Sequence, residues 1–340
     1  MPAWQENLDA KLANLLSLEV TPQSLYVIFV SDRARAVLPE FSVRGIEITW
    51  IEEPVRRGKP SAINAAMALV KTPVVIFHDA NTELHPNSIN EVCIPFSNSA
   101  VGGVAGEKRV RIDSHTPAAL EGLYWRYESA WKKRDAQFFS VVGGAGELFA
   151  MRTVLFDPLP EDCLLDDLEL SWQVIQKGCR IAYAASAITT ENPSSDLREE
   201  SNRKIRIAAG AYQFLDRHSL LSIFRVSVRY GIQFLIRKWL RWVAWPILTL
   251  LMPPALFAFA YYFPTDACVR WLFYCMGGIY GLALVGGLLS LSKVRVGWLG
   301  LPFYFLFVQY CQVRGWLRYR FGKSTVRWEK SDRSSGGQQQ

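Results

Sequence analysis

The chain has 340 residues, half of them hydrophobic and 13% aromatic, and a net charge of +7. That is material for about two domains and excludes a disordered or fibrous chain. The positive charge alone would suit a nucleic-acid binder, but the basic residues flank long apolar stretches with Trp and Phe among them, which suits an anionic membrane surface and no nucleic acid.

Leu8, Leu12, Leu15 and Leu16 recur at helical spacing, so the chain is predicted to open on an amphipathic helix. Residues 1–11 are polar and lack the apolar core of a secretory signal. Residues 25–30 read as a buried strand ending in Ser31-Asp32, and residues 46–51 as a second strand. Arg56-Arg57-Gly58-Lys59-Pro60-Ser61-Ala62-Ile63-Asn64 opens a helix expected to reach Val70, with Pro near its first turn. Val74-Val75-Ile76-Phe77 is a strand that delivers Asp79 and Asn81 at its carboxyl end, where open α/β sheets place ligands. At i and i+2 of an extended segment, these two side chains point the same way and can grip a hard divalent cation that in turn holds a diphosphate. The alternative is a local Asx turn.

Residues 86–96 read as a helix, 101–110 as a strand, and 117–135 as a long helix carrying Tyr124, Trp125, Tyr127 and Trp131. Alternating strands and helices predict an α/β domain with a mostly parallel sheet. Gly143-Gly144-Ala145-Gly146 is a small-residue turn that permits close backbone approach, and no Gly-Lys-Ser/Thr follows to make it a P-loop. Asp166 and Asp167 stand at a helix start, where the dipole favours negative charge. They are either helix caps, or a general base and the group that orients its surroundings. Residues 198–206 open a charged helix.

From residue 242 the chain is overwhelmingly apolar. Residues 242–263 hold no charge and 268–291 only Arg270, and each stretch is long enough to cross a hydrocarbon layer of about 30 Å. Arg225, Arg229, Arg237, Lys238 and Arg241 precede the first stretch, and a basic tail follows the last; such flanks favour the cytoplasmic side. Six cysteines form no CxxC pair and lie far from the four histidines, which indicates neither a disulfide framework nor a zinc site. Residues 334–340 are low-complexity.

In this order and spacing, the blocks around Asp32, Lys59, Asp79 and Asp167 resemble the family-2 glycosyltransferases of GT-A fold, in the membrane-anchored branch of cellulose, chitin and hyaluronan synthases. The resemblance implies a Rossmann-like nucleotide-diphospho-sugar transferase domain followed by an α-helical membrane region. It assigns Asp32 to the nucleotide base, Lys59 and Asn64 to the nucleotide site, and Asp79-Ala80-Asn81 to the family's metal-binding DxD, with Mg²⁺ or Mn²⁺ as cofactor. Asp167, beside Asp166, matches the acid that ends the family's Thr-Glu-Asp motif and would take the acceptor's proton in a single inverting displacement. Glu200-x-x-Arg203-Lys204 stands where the family has Gln-x-x-Arg-Trp, the acceptor segment. That change removes a stacking surface, for which Trp172 or the aromatics of 117–135 are the substitutes. Arg33-Ala34 replaces the family's Gly-Ser, and Pro2-Ala3-Trp4-Gln5-Glu6 resembles the end of its opening motif, so the strand before it is expected to be missing.

The resulting expectation is a cytosolic GT-A domain over 1–218, an amphipathic interfacial helix over 219–241, and a membrane region over 242–315 with a third, shallow apolar segment at 297–313. A basic cytosolic tail would occupy 316–340. The protein would be a multi-pass inner-membrane enzyme moving sugar from a UDP-sugar to a polysaccharide, or to another glycan or lipid-linked acceptor, with or without synthase or export subunits. A single transfer to a lipid and a non-catalytic partner of a synthase are the alternatives.

Overall fold

The structure, a computed structural model, describes residues 3–20, 25–31, 46–53, 55, 57–111, 116–144, 146–192, 197–291 and 300–322. Asp32, Arg33-Ala34, the start of the segment at 297 and the tail beyond 322 lie outside these residues.

Helix α1 (Ala3–Leu16) turns Leu12 and Leu15 inward, and Trp4-Gln5-Glu6 are part of it. Strands β1 (Leu25–Ser31) and β2 (Ile46–Glu52) pair in parallel, Leu25 opposite Ile46. A five-stranded sheet follows in the order β3-β6-β5-β7-β4. Its members are β3 (Val74–Phe77), β4 (Glu83–Leu84), β5 (Val101–Val110), β6 (Phe149–Arg152) and β7 (Arg180–Glu191). Within it only β5 and β7 run parallel, and the other three pairings are antiparallel. The expectation of a mostly parallel sheet is therefore corrected. Hydrophobic pattern reports burial, not strand direction, and β6 returns antiparallel beside β5 even though helix α4 (Thr116–Phe138) lies between them in sequence.

The sheet is covered on both faces, which explains why Leu148-Phe149-Ala150-Met151 reads as an unbroken apolar run. Successive side chains on a strand point to opposite faces. Phe149 and Met151 join Ala105, Ile181 and Trp172 in one core, whereas Leu148 and Ala150 join Val104, Ile89 and Val92 in the other. Helices α2 (Lys59–Met67) and α5 (Asp166–Gln176) pack on the first face, and α3 (Ser88–Cys93) on the second.

Helix α6 (Leu197–Arg217) leads to the apolar half. The single amphipathic helix expected over 219–241 is broken. Helices α7 (Leu220–Val226) and α8 (Val228–Phe234) meet at Ser227, whose hydroxyl accepts from the Tyr230 N–H at 3.3 Å, and a π-helix over Leu235–Ala244 follows. Tyr230 stacks on Trp172, and Phe234 lies tilted against Phe214 and edge-on to Trp242, so this segment is welded to the α/β domain by an aromatic core. Its basic residues are not all on a membrane face. Arg237 pairs with Glu128 at 2.7 Å and Asp135 at 2.9 Å on α4, and Arg241 also pairs with Glu128. Burial alone would raise the Glu128 pKa, yet Arg241 and Arg237 hold it well below the carboxylate range.

The π-helix runs directly into α9 (Trp245–Tyr262), and α10 (Ala267–Leu291) returns after a short turn capped by Asp266, which accepts from the Val269 N–H at 3.0 Å. Two helical stretches, Val228–Tyr262 and Ala267–Leu289, are long and apolar enough to cross a membrane, with only 6% and 11% of their apolar windows buried in the protein. Helix α11 (Gly300–Phe321) instead lies along α6 and buries Gln309, Cys311, Gln312 and Gly315.

Gly315 sets how closely α11 approaches. A Cβ there would stand 2.9 Å from both the Ile205 carbonyl oxygen and the Ala209 nitrogen, which are rigid backbone atoms. Gly315→Val is therefore expected to force the helices apart and destabilise the protein by about 2–3 kcal/mol, in the range of overpacked cores. It would register as a lower melting temperature of the detergent-solubilised chain, while Gly277→Val on α10, where nothing lies within 4 Å, would leave it unchanged.

Candidate active site

Three segments far apart in sequence converge beyond the end of β3, an edge strand of the five-stranded sheet. Strand β3 ends at Phe77 and presents Asp79; α2 starts at Lys59; α5 starts at Asp166. The Lys59 ammonium lies 2.8 Å from Asp79 Oδ1 and 2.9 Å from Asp166 Oδ2, joining all three. Burial works against the Lys59 charge, but Asp166 and Asp79 outweigh it and raise its pKa above the ordinary lysine value. The Asp79 pKa is raised, chiefly by burial, against the pull of Lys59.

Asp167, next along α5, is held by a hydrogen bond from the Leu168 N–H to its Oδ1 at 2.9 Å. Burial, reinforced by the neighbouring Asp166 charge, pushes its pKa up to about 6, while Lys59 and Lys238 pull the other way. A carboxylate tuned toward neutrality in a cleft is suited to general-base work. The glycine turn forms the wall opposite. A Cβ on Gly146 would lie 3.4 Å from Lys59 Nζ, 3.7 Å from Asp79 Oδ2 and 3.9 Å from Asp167 Cβ, so the missing side chain leaves room at the centre of this cluster.

Other candidates sit elsewhere. The Asp79–Asn81 segment is not extended: the Thr82 N–H and hydroxyl bond back to the Asp79 carbonyl at 3.3 and 3.0 Å, closing a turn. Asn81 therefore leaves Asp79 and donates its amide to Glu191 at 3.0 Å, so the expectation that both side chains aim at one cation from an extended strand does not hold. Asn64 bonds the Leu159 N–H and carbonyl, both at 2.8 Å, and braces the loop before α5 instead of lining the cluster. Glu200 is buried and binds Arg203 at 2.9 Å and Lys204 at 3.0 Å, and the Lys204 ammonium lies over Tyr124 and Tyr304. That trio ties α6 to α4 and α11. Trp172 is 1% exposed in the core and has no face for a sugar.

Two cations that the sequence reading passed over face the site. Arg206, one helical turn beyond Arg203, feels Asp166, Asp167 and Asp79 as its main negative neighbours, and its pKa is lowered by burial all the same. Lys238, on the π-helix, reaches the glycine turn: its Nζ lies 3.7 Å from where a Gly143 Cβ would be. Helical spacing from Arg203 was the signal for Arg206. Lys238 was hidden in a basic run read as membrane-facing.

The cluster thus joins the starts of α2 and α5 to the turn that follows β3, on a two-faced α/β sheet. Residues 1–210 match the profile of "Glycosyltransferase like family 2", and the chain belongs to that family and is a glycosyltransferase. Comparison with curated proteins found no match. Among solved structures, the mannosyltransferase PcManGT from Pyrobaculum calidifontis, in complex with GDP-Man and Mn²⁺, superposes with a TM-score of 0.64 over 94% of this chain and 84% of that one. At 17% identity this likeness establishes the fold.

Proposed function

We propose that the protein transfers a sugar from a nucleoside diphosphate donor to a hydroxyl of a glycan or lipid-linked acceptor at a membrane surface, inverting the anomeric configuration. The observation that carries this reading is the placement of Asp167, its pKa raised to about 6, beside the Lys59–Asp79–Asp166 cluster. Asp167 accepts the proton of the acceptor hydroxyl as its oxygen bonds to the anomeric carbon, and the bond from that carbon to the donor's diphosphate breaks with its electron pair going to the diphosphate. Lys59 keeps Asp79 and Asp166 in place and lends positive charge to that leaving group.

Asp79 suits a divalent metal, since Mg²⁺ and Mn²⁺ at nucleotide sites are held by one or two carboxylates together with the substrate's phosphates. Its Oδ2 faces the gap at Gly146, whereas Asn81 is engaged with Glu191. The metal would neutralise charge developing on the departing diphosphate. Resemblance favours a UDP-sugar, and the mannosyltransferase was solved with GDP-Man, so both nucleotides belong in the assay. The exposed apolar windows of Val228–Tyr262 and Ala267–Leu289 are poor core helices and support two membrane crossings, with α11 packed against the domain and the domain on the cytoplasmic side.

The stereochemical outcome tests the reaction. An α-linked donor incubated with the protein and membrane lipids should give a β-linked product by the one-bond C1–H1 NMR coupling of its anomeric carbon; an α-linked product would refute a single displacement at Asp167. Gly146→Val fills the gap between Lys59, Asp79 and Asp167 and is expected to weaken nucleotide binding by about a hundredfold, a loss of about 3 kcal/mol, with the melting temperature near wild type. Calorimetry with the two nucleotides checks it.

A further inference from the structure

Asn81 stands where a second metal-binding acid was expected, and the structure gives its amide a different partner. Asn81 Nδ2 donates to Glu191 Oε1 at 3.0 Å. Glu191, the last residue of β7, is 5% exposed and pairs through its other oxygen with the Lys108 ammonium. Lys108 on β5 lies opposite Thr189, so Glu191, two residues further on, shares its face of the sheet. A carboxylate held against an ammonium is ionised and only accepts hydrogen bonds, so the side chain at position 81 has to donate.

Two lines of contact run from the Asp79 turn to a single residue. Lys108 also pairs with Glu147, which directly follows Gly146. The Glu147 carbonyl meets Nδ1 of His78, one residue before Asp79. His78 Nε2 faces the Lys11 ammonium, which has protons to give and none to take, so the ring accepts there and donates from Nδ1 to that carbonyl. His78 and Asn81 thus fasten both ends of the Asp79 turn to Glu147, the first directly and the second through Glu191 and Lys108. Across the gap, Asp79 Oδ2 would stand 3.7 Å from a Cβ on Gly146. The network therefore sets how far the Asp79 turn lies from the glycine turn.

We infer that Asn81 is a positioning residue for the donor: its amide, donating to Glu191, ties the Asp79 turn through Lys108 and Glu147 to the glycine turn and so fixes the gap that takes the diphosphate and its metal. This rests on the transferase reading and deepens it. A carboxylate at position 81 would confront Glu191 with a like charge about 3 Å away and push the turn outward. An acid here disrupts the site instead of adding a metal ligand.

The test titrates GDP and UDP, with Mn²⁺ at saturation, into the full chain in detergent. Wild type, Asn81→Asp, Glu191→Gln and the double variant are compared, and thermal melts are taken of all four. Titration well below the lowest melting temperature makes a loss of affinity report the site and not unfolding. Asn81→Asp is expected to weaken the tighter-binding nucleotide by at least about tenfold, the effect of replacing a charge-assisted hydrogen bond with a repulsion. Adding Glu191→Gln should recover most of that affinity, because the Gln amide can donate to the new carboxylate and reverse the bond. Equal or tighter binding by Asn81→Asp would overturn the inference and make position 81 a metal ligand. A double variant that binds no better than Asn81→Asp would overturn it too, since the pair would then be idle. If wild type binds neither nucleotide, the transferase reading fails, and the melts decide the tether by themselves. Glu191→Gln raising the melting temperature of Asn81→Asp supports the pairing, and a further fall refutes it.

Discussion

Asp167→Asn is expected to abolish sugar transfer while raising the melting temperature. The lost proton acceptor should lower kcat by about 10²–10⁴-fold, the usual contribution of a positioned base, with donor affinity retained. Stability moves the other way because the wild-type carboxylate is ionised in a site that disfavours its charge: its folded pKa, about 6, stands above the unfolded value of 3.8. A carboxyl group with a raised folded pKa destabilises the fold when ionised, and the penalty is relieved as pH falls through about 6 toward 3.8. Wild type should therefore close part of its stability gap to Asp167→Asn on acidification, while its kcat/KM falls below pH about 6 as the base becomes protonated. Thermal melts and a pH–rate profile of the two proteins check both halves. A variant that is inactive and less stable would place Asp167 in a structural network instead.

Lys59→Met should lose nucleotide binding and fold stability together. Removing one partner from a buried ion pair leaves charge uncompensated and costs about 3–5 kcal/mol. Lys59, Asp79 and Asp166 retain 29%, 20% and 16% side-chain exposure, so solvent screening lowers the expected cost. About 2 kcal/mol is the expected loss. Adding Asp166→Asn should restore part of that stability, because one of the two stranded carboxylates is then neutral, without restoring nucleotide binding. Melts and nucleotide titrations of the single and double variants measure this directly. Additive destabilisation by the two changes would mean that the bridge across α2, β3 and α5 is not the organising contact.

Much of this arrangement was legible in the sequence because it rests on local signals. The strand ending at Phe77 follows from its β-branched run, the start of α2 from Lys59-Pro60, and the start of α5 from Asp166-Asp167 ahead of an apolar pattern. What stayed hidden depended on long-range contact. Asn81 turns toward Glu191, 110 residues away, and Asn64 toward Leu159, 95 residues away, and no local pattern encodes those partners. Strand direction in the five-stranded sheet was hidden for the same reason. The basic run before the first apolar stretch misled most: its composition suits a membrane face, but Glu128 and Asp135 on α4 draw Arg237 and Arg241 inward, and Lys238, on the wider turns of a π-helix, lies at the glycine turn.

The most direct test of the central claim is calorimetric titration of GDP and UDP into the purified full chain, with and without Mn²⁺, alongside Asp79→Ala. The Lys59–Asp79 cluster predicts that at least one nucleotide binds wild type, that Mn²⁺ strengthens the binding, and that Asp79→Ala removes the metal's contribution. A folded wild-type protein that binds neither nucleotide with Mn²⁺ present would contradict the account.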